Sequence, residues 1–259
     1  MKNVRSIVNQ KGGVGKSTTA VNLGACWAHF GFNVLLIDID PQGNSTSGVG
    51  VNKQELDQSI YDLLIEEATL SQVVVETNRE GLYLLPATLD LAGAEIELVS
   101  TISREMRLKK GLEDQLVDFD FVLIDCPPSL GLLTLNALTA SESVLIPIQC
   151  EYYALEGLSQ LLKTIRLVRR NLNPCLDIEG VIMTMFDART NLSQNVIEEV
   201  KKYFEEKVYE TVIPRNVRLS EAPSFGKPVI DYDRSCKGAE SYLQLAKEVI
   251  GLEEIKQIG

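Results

Sequence analysis

Short apolar runs recur along the chain, with amphipathic stretches between them. The runs at 4–8, 34–37, 82–85, 121–124, 144–148, 180–185 and 208–213 predict strands. They are rich in Val, Ile and Leu without clean alternation, the pattern of strands buried on both faces. Helical patterning covers 17–30, 155–172, 192–206 and 239–250. Strand and helix alternating over the whole length imply an α/β fold, with a doubly wound, mainly parallel sheet and helices on both faces. No Gly/Ser/Pro-rich linker, internal repeat or low-complexity segment interrupts the pattern, so residues 1–259 are expected to form a single domain. Sheets of this kind bind ligands beyond the C-terminal ends of their strands. The polar clusters fall there: "NQKGGVGKST" after the first strand, "DIDPQGNST" after the second and "DCPPSLG" after "FVLI". Three loops are thus predicted to meet at one mouth.

Composition narrows the function classes. The net charge is −11, but residues 51–100 hold ten acids and two bases, so −8 of it lies there. Residues 201–259 are balanced, and "KTIRLVRR" has four bases without an acid. A local basic patch therefore stays open, and nucleic acid is not excluded. Five cysteines are scattered without a CxxC pair, which argues against a disulfide framework or a zinc or iron–sulfur site. His29, inside "GACWAHFG", is the sole histidine and is read as structural. The N-terminus lacks a basic-then-apolar leader, and no apolar run approaches the roughly 18–20 residues that cross a bilayer. A cytoplasmic protein is expected.

The first polar cluster carries the chemistry. Glycines 12, 13 and 15 let the backbone fold around an anion and turn its N–H groups inward. A helix beginning near Lys16 adds its free amides and dipole. Lys16 can reach the β- and γ-phosphates of a nucleotide, and the Ser17 hydroxyl can ligate Mg²⁺. The loop departs from G-x-x-x-x-G-K-[ST], because Gln10 stands where the first Gly belongs; it reads K-G-G-x-G-K-[ST]. Asp125, ending a buried strand, suits a carboxylate that holds Mg²⁺. Asp38 and Asp40 are two apart, so both point into the mouth if the strand continues that far. Asp40, the further out, is the better placed to orient water. The extra lysine, Lys11, has no role that spacing alone supplies.

"KGGVGKST", "LLIDIDPQGNSTSG", "LIDCPPSLGLLTLNAL" and "IPRNVRLSEAPSFGKP" closely resemble the ParA/Soj chromosome-partitioning ATPases of the deviant Walker A group, over roughly residues 1–250. "QCEYYALEGLSQLL" and "MFDARTNLSQNV" are similar to Soj in particular. The resemblance implies an ATP-dependent sandwich homodimer in which Lys11 reaches the partner's nucleotide, Gly12 leaves room for the facing subunit, and Lys11, Lys16 and Asp40 are catalytic. Lys11, Gly12, Gly13, Val14, Gly15, Lys16, Ser17 and Thr18 would hold ATP, with Pro214 and Asn216 near the adenine. Ser17, Asp38 and Asp125 would surround Mg²⁺. Arg189 and Arg218 match positions that bind double-stranded DNA non-specifically, and Lys201 and Lys202 would extend that patch on a nucleoid-associated protein. A ParB-type centromere-binding partner, often acting through a basic peptide, would stimulate hydrolysis, and some relatives also regulate the replication initiator. The acidic stretch 51–100 could attract such a peptide, with solubility as the plainer role.

Other outputs of the same ATPase are weighed against this one. A MinD-like membrane switch needs a basic amphipathic C-terminal helix, whereas the tail "KEVIGLEEIKQIG" has two bases against three acids. An iron–sulfur carrier needs paired cysteines. The chain starts at its first strand, without the extension of site-specific plasmid relatives. A metabolic or cluster-assembly NTPase without DNA binding remains the alternative.

Overall fold

The computed structural model describes residues 3–151 and 157–252. Its strands are β1 (Val4–Ile7), β2 (Val34–Asp38), β3 (Val75–Glu76), β4 (Leu82–Leu85), β5 (Phe121–Asp125), β6 (Ser143–Gln149) and β7 (Asp177–Thr184). They form one sheet in the order β3-β4-β2-β5-β1-β6-β7. All neighbours run parallel except β3 and β4. Successive residues of a buried strand serve opposite layers, as the unbroken apolar runs require. Leu35, Ile37, Val122 and Ile124 pack into one core layer. Val34, Leu36, Phe121 and Leu123 pack into the other.

Helix Lys16–His29 and helix Lys237–Val249 cover that second layer. Their seam holds the Trp27 indole N–H on the Ala246 carbonyl at 2.9 Å and the Thr19 and Tyr242 hydroxyls 3.1 Å apart. Helices Leu132–Ala140, Leu158–Asn171 and Asn191–Phe204 cover the opposite layer. The doubly wound reading of the sequence is therefore correct. Among the described residues no helix is long and apolar enough to cross a membrane.

One local expectation changes, and two elements have no counterpart among those expected. Residues 208–213 form no strand; only the isolated bridges Val181–Val208 and Phe186–Pro214 remain. The Tyr209 and Ile213 amides still bond the Val181 and Met183 carbonyls of β7, at 3.0 and 2.8 Å, but the Glu248 carboxylate accepts the Glu210 and Thr211 amides between them, at 2.6 and 3.0 Å, so no continuous ladder forms. β3 is too short to carry a periodic signal, and helix Leu132–Ala140 is too uniformly apolar to show a face. The start of the helix expected at 155, and tail residues 253–259, lie outside the described residues.

His29 is exposed at the C-terminal end of helix Lys16–His29, with its ring nitrogen 2.8 Å from Arg234. It sits a helix length away from the loop at Lys16 and contributes nothing there.

Candidate active site

β1 lies between β5 and β6, and the chain leaves it for β2 on the β5 side while β6 flanks it on the other. A crevice opens at such a switch point, and the loop 9–17 fills it. Gly15 has φ +91°, a left-handed turn that a side chain would strain, and it delivers the chain into helix Lys16–His29. The Asn9 side chain fixes the loop's first half, donating to the Pro147 carbonyl at 2.7 Å and accepting the Lys11 amide at 3.0 Å. The Thr184 hydroxyl, at the end of β7, donates to the Val14 carbonyl at 2.9 Å. Between these anchors, the backbone N–H groups of Gly12 to Gly15 have no protein acceptor among the described residues. Converging free amides at a helix start suit a polyanion.

A cleft of about 610 Å³ lies over this loop. Gly12, Gly13, Gly15, Lys16, Ser17 and Thr18 line one wall, Asp40 and Asn44 another, and Ser220, Ala222, Pro223 and Ser224 with Lys227 a third. Met185 also lines it, with φ +53°, a conformation that costs energy for a long side chain and marks a site the fold holds under strain. The Lys16 ammonium is buried and sits 3.3 Å from the Lys11 carbonyl. Burial lowers its pKa, while Asp125, Cys126 and Asp40 pull it back up. A phosphate arriving here restores the charge that desolvation disfavours.

Beneath the cleft lie two carboxylates on adjacent strands, because Asp38 of β2 is in register with Asp125 of β5. Both are fully buried. The short helix Asn44–Gly48 sits over them and gives one hydroxyl to each. Ser45 donates to Asp125 Oδ2 at 2.7 Å, and Thr46 donates its hydroxyl and amide to Asp38 Oδ2, both at 2.8 Å. The Asp40 amide donates to Asp38 Oδ1 at 3.2 Å. Asp38 is thus spent on holding the second loop. β2 ends at Asp38, so the alternation expected to aim Asp38 and Asp40 together does not extend that far. Asp40 alone of the two reaches the cleft.

Asp125 differs. Its Oδ1 is buried without a hydrogen-bond partner among the described residues. Burial raises the Asp125 pKa, and the Ser17 and Ser45 hydroxyls and Lys16 pull it down. An orphaned carboxylate oxygen beside a serine hydroxyl fits an oxygen-ligated divalent cation. Burial, then the facing Asp125, raises the pKa of Asp38 as well. Carboxylates raised above their ordinary value near 4 stabilise the fold below that pH, and this contribution is lost as pH rises through the folded value. Asp125→Asn keeps an acceptor for Ser45 and removes one charge. The ligand-free variant is therefore expected to melt higher than the parent at pH 8, by about 1 kcal/mol or roughly 2–4 °C, with the gap shrinking toward pH 5. Melting curves in chelator without nucleotide check this; an equal or lower midpoint at pH 8 contradicts it.

The other expected site residues divide. Pro214 bridges Phe186, and the Asn216 side chain caps helix Val217–Glu221 by accepting the Arg218 amide at 2.9 Å; neither lines the cleft. Ser220, Ala222, Pro223, Ser224 and Lys227, further along the same stretch, do line it, and the sequence alone does not single them out, nor Ser45, Thr46 and Thr184. The "NST" after "DIDPQG" was the available signal for the first two. Arg189 and Arg218 come from neighbouring segments, since the Arg215 amide bonds the Phe186 carbonyl at 2.9 Å. Both are exposed and paired: Arg189 donates twice to Asp187, at 2.9 and 2.7 Å, and Arg218 donates to Glu221 at 2.7 Å. Arg189 thereby holds the Asp187 carboxyl well below the usual range. Lys201 and Lys202 lie in the last turn of helix Asn191–Phe204, about 15 Å along its axis from the start.

A family model described as an AAA domain matches residues 2–178. The sporulation initiation inhibitor protein Soj of Bacillus subtilis is 65% identical over 249 residues, spanning 96% of this chain and 98% of that protein. The chromosome partitioning protein ParA of Myxococcus xanthus is 54% identical over 244 residues, spanning 94% and 86%. A crystal structure of cobyrinic acid a,c-diamide synthase from Mycobacterium smegmatis, with bound ADP and magnesium, has a TM-score of 0.85 at 39% identity, covering 96% of this chain and 94% of that one.

Proposed function

The chain belongs to the ParA/Soj family of chromosome-partitioning ATPases, and from that premise we propose that ATP closes two copies into a sandwich that binds DNA without sequence preference until hydrolysis opens it. One observation carries the dimer. Lys11 does not line its own cleft, and its amine has no partner among the described residues, while its neighbours Gly12 and Gly13 face the mouth. A cation so placed can stabilise charge on a phosphoryl group held by a facing subunit, as an arginine finger does. We read residues 1–259 as one such ATPase unit.

Within each subunit the loop amides and Lys16 hold the phosphates, and residues 220–227 close over the nucleotide's far end. Asp40 orients the attacking water. Ser17 and Asp125 would hold Mg²⁺, which when bound neutralises charge on the β- and γ-phosphates. Asp38 fixes helix Asn44–Gly48 through Thr46, which keeps Asp40 in register with the loop.

Gly12 gives a direct test of the sandwich. A Cβ there meets no atom of its own chain within 4 Å, and its φ is not left-handed. Gly12→Val is therefore expected to fold and bind ATP like the parent but to stay monomeric. Its turnover should fall about 100-fold, to the level of a site lacking the partner's lysine. Sedimentation with ATP distinguishes the cases; an ATP-dependent dimer in this variant would remove Gly12 from the interface.

DNA release follows from the same geometry. Arg189 and Arg218 face solvent, and each dimer doubles their number, so two weak half-sites become one stronger site. Each phosphate contact steepens the salt dependence of binding by about 0.9 in log–log slope. Binding to double-stranded DNA is expected with ATP and not with ADP or without nucleotide. Arg189→Glu/Arg218→Glu should lose it by about tenfold or more, with a flatter salt slope. Equal binding in all three nucleotide states would favour a metabolic role, the function named by the Mycobacterium smegmatis relative's structure. A ParB-type partner that stimulates hydrolysis, a possible replication role, and a cytoplasmic, nucleoid-associated location belong to this reading.

A further inference from the structure

The cleft wall that carries Ser220, Ala222, Pro223, Ser224 and Lys227 runs on through Pro228 into the short helix Val229–Tyr232. That helix starts with a difficulty. Its first amide, at Val229, belongs to a buried residue, and a helix's first amides have no acceptor within the helix. Pro228 stands at the capping position and has no polar side chain to offer. The acceptor comes from another helix: Asn22 Oδ1 takes the hydrogen bond that the Val229 amide donates, at 2.7 Å.

Asn22 stands in helix Lys16–His29, less than two turns beyond the phosphate loop. It is buried and lines the cleft itself. Its amide nitrogen donates to the Thr18 carbonyl at 2.7 Å, so the other end of the same group rests on the phosphate-binding wall. A carboxamide is planar. Fixing its nitrogen on Thr18 therefore fixes the direction from which its oxygen holds Val229. One side chain thus joins the wall at the phosphates to the wall opposite.

On its other side the wall has no slack. Gly226 lies backbone to backbone against Gly50, which follows helix Asn44–Gly48. A Cβ on Gly226 would stand 2.6 Å from the Gly50 Cα, and one on Gly50 2.8 Å from the Gly226 carbonyl oxygen. The second loop blocks movement of the wall toward it, and Asn22 resists movement away from the phosphate helix. A further tie lies outside the cleft lining: Arg79 donates to the Ala25 carbonyl at 2.9 Å and pairs with Asp231 of the short helix.

We propose that Asn22 is a positioning residue for nucleoside selection. By fixing residues 220–229 to the phosphate helix it sets the distance between the seat of the phosphates and the seat of the base and ribose. The site thereby prefers a whole nucleotide to its phosphate portion alone. This rests on the reading above, in which that wall holds the nucleotide's far end.

The test titrates ADP and inorganic pyrophosphate, each with Mg²⁺, into the parent, Asn22→Ala, Asn22→Asp and Arg79→Ala by calorimetry. The two ligands share the phosphate seat and differ by the nucleoside. The parent is expected to prefer ADP by about tenfold or more. Asn22→Ala should lose about tenfold in ADP affinity, the cost of an unanchored wall and an unpaired buried amide, and keep its pyrophosphate affinity. Asn22→Asp retains an acceptor for Val229; its charge should weaken both ligands alike and leave their ratio near the parent's. Arg79→Ala loosens the same short helix away from the cleft, so it should melt lower and keep the ratio. Asn22→Gln, whose amide sits one methylene further out, takes the place of the alanine variant if that one does not fold, with the same expected loss. A parental ratio in Asn22→Ala overturns the proposal and leaves the reading of the wall intact. Equal loss of both ligands, or a ratio that falls as far in Arg79→Ala, also overturns it, because either marks general loosening. A parent that binds the two ligands equally removes the reading of the wall and the proposal together.

Discussion

Asp40→Ala should bind ATP as the parent does and hydrolyse it about 10²–10⁴-fold more slowly, the usual worth of a positioned acid–base group. The argument is geometric. Asp40 is the one acid of the second loop that lines the cleft, and among the described residues its Oδ1 accepts only the Gln42 amide, at 2.9 Å. The loop keeps its shape without that side chain, because the Gly43 amide still bonds the Asp40 carbonyl at 2.8 Å and Asp38 still holds Thr46. The phosphate-binding wall is untouched. The ATP-closed dimer should therefore form and persist, and DNA bound to it should be retained while ATP lasts. Single-turnover hydrolysis and DNA release, followed together, check this. Normal turnover in the variant would remove Asp40 from the water-orienting role.

Lys16→Ala should lose nucleotide affinity by about 10²–10³-fold, the cost of truncating one partner of a buried, hydrogen-bonded charge pair. In the free protein this ammonium is desolvated and rests on the Lys11 carbonyl. The fold gains little from it, since burial already works against its charge. The variant is thus expected to melt close to the parent without ATP and to lose the ATP-induced rise in melting temperature. Titration calorimetry gives the affinity directly. Undiminished ATP binding would mean that the loop amides alone hold the phosphates.

The two variants fail at different steps, which makes them a pair. One accumulates the closed state and the other never reaches it. Their DNA binding should diverge accordingly, one held and one absent.

What the sequence made legible was local. The glycine pattern, Lys16 and Ser17 lie within one turn of chain, and their chemistry depends on neighbours a few positions away. Parallel strands buried on both faces also announce themselves, as 34–37 and 121–124 did. What escaped reading depended on distant partners. Thr184 holds Val14 from 170 residues away, and only strand order reveals it. The stretch 208–213 has the composition of a strand, yet Glu248 claims two of its amides. Asn216 had the residue type of a base contact and spends its side chain on a helix cap. Arg189 and Arg218 were identifiable as exposed bases, but the carboxylates they grip appear only in three dimensions.

The bond between Thr184 and Val14 also orders events during synthesis. The phosphate loop leaves the ribosome long before its clasp, which lies 170 residues further along. β1 must wait for β5 and β6 to flank it, and the loop above waits for β7 as well. Such distant pairings slow folding and leave early segments unpartnered. A nascent chain that stops before β7 carries every residue of the glycine-rich loop without the geometry that makes it a binding site. Nucleotide binding is thereby reserved for chains whose sheet is complete.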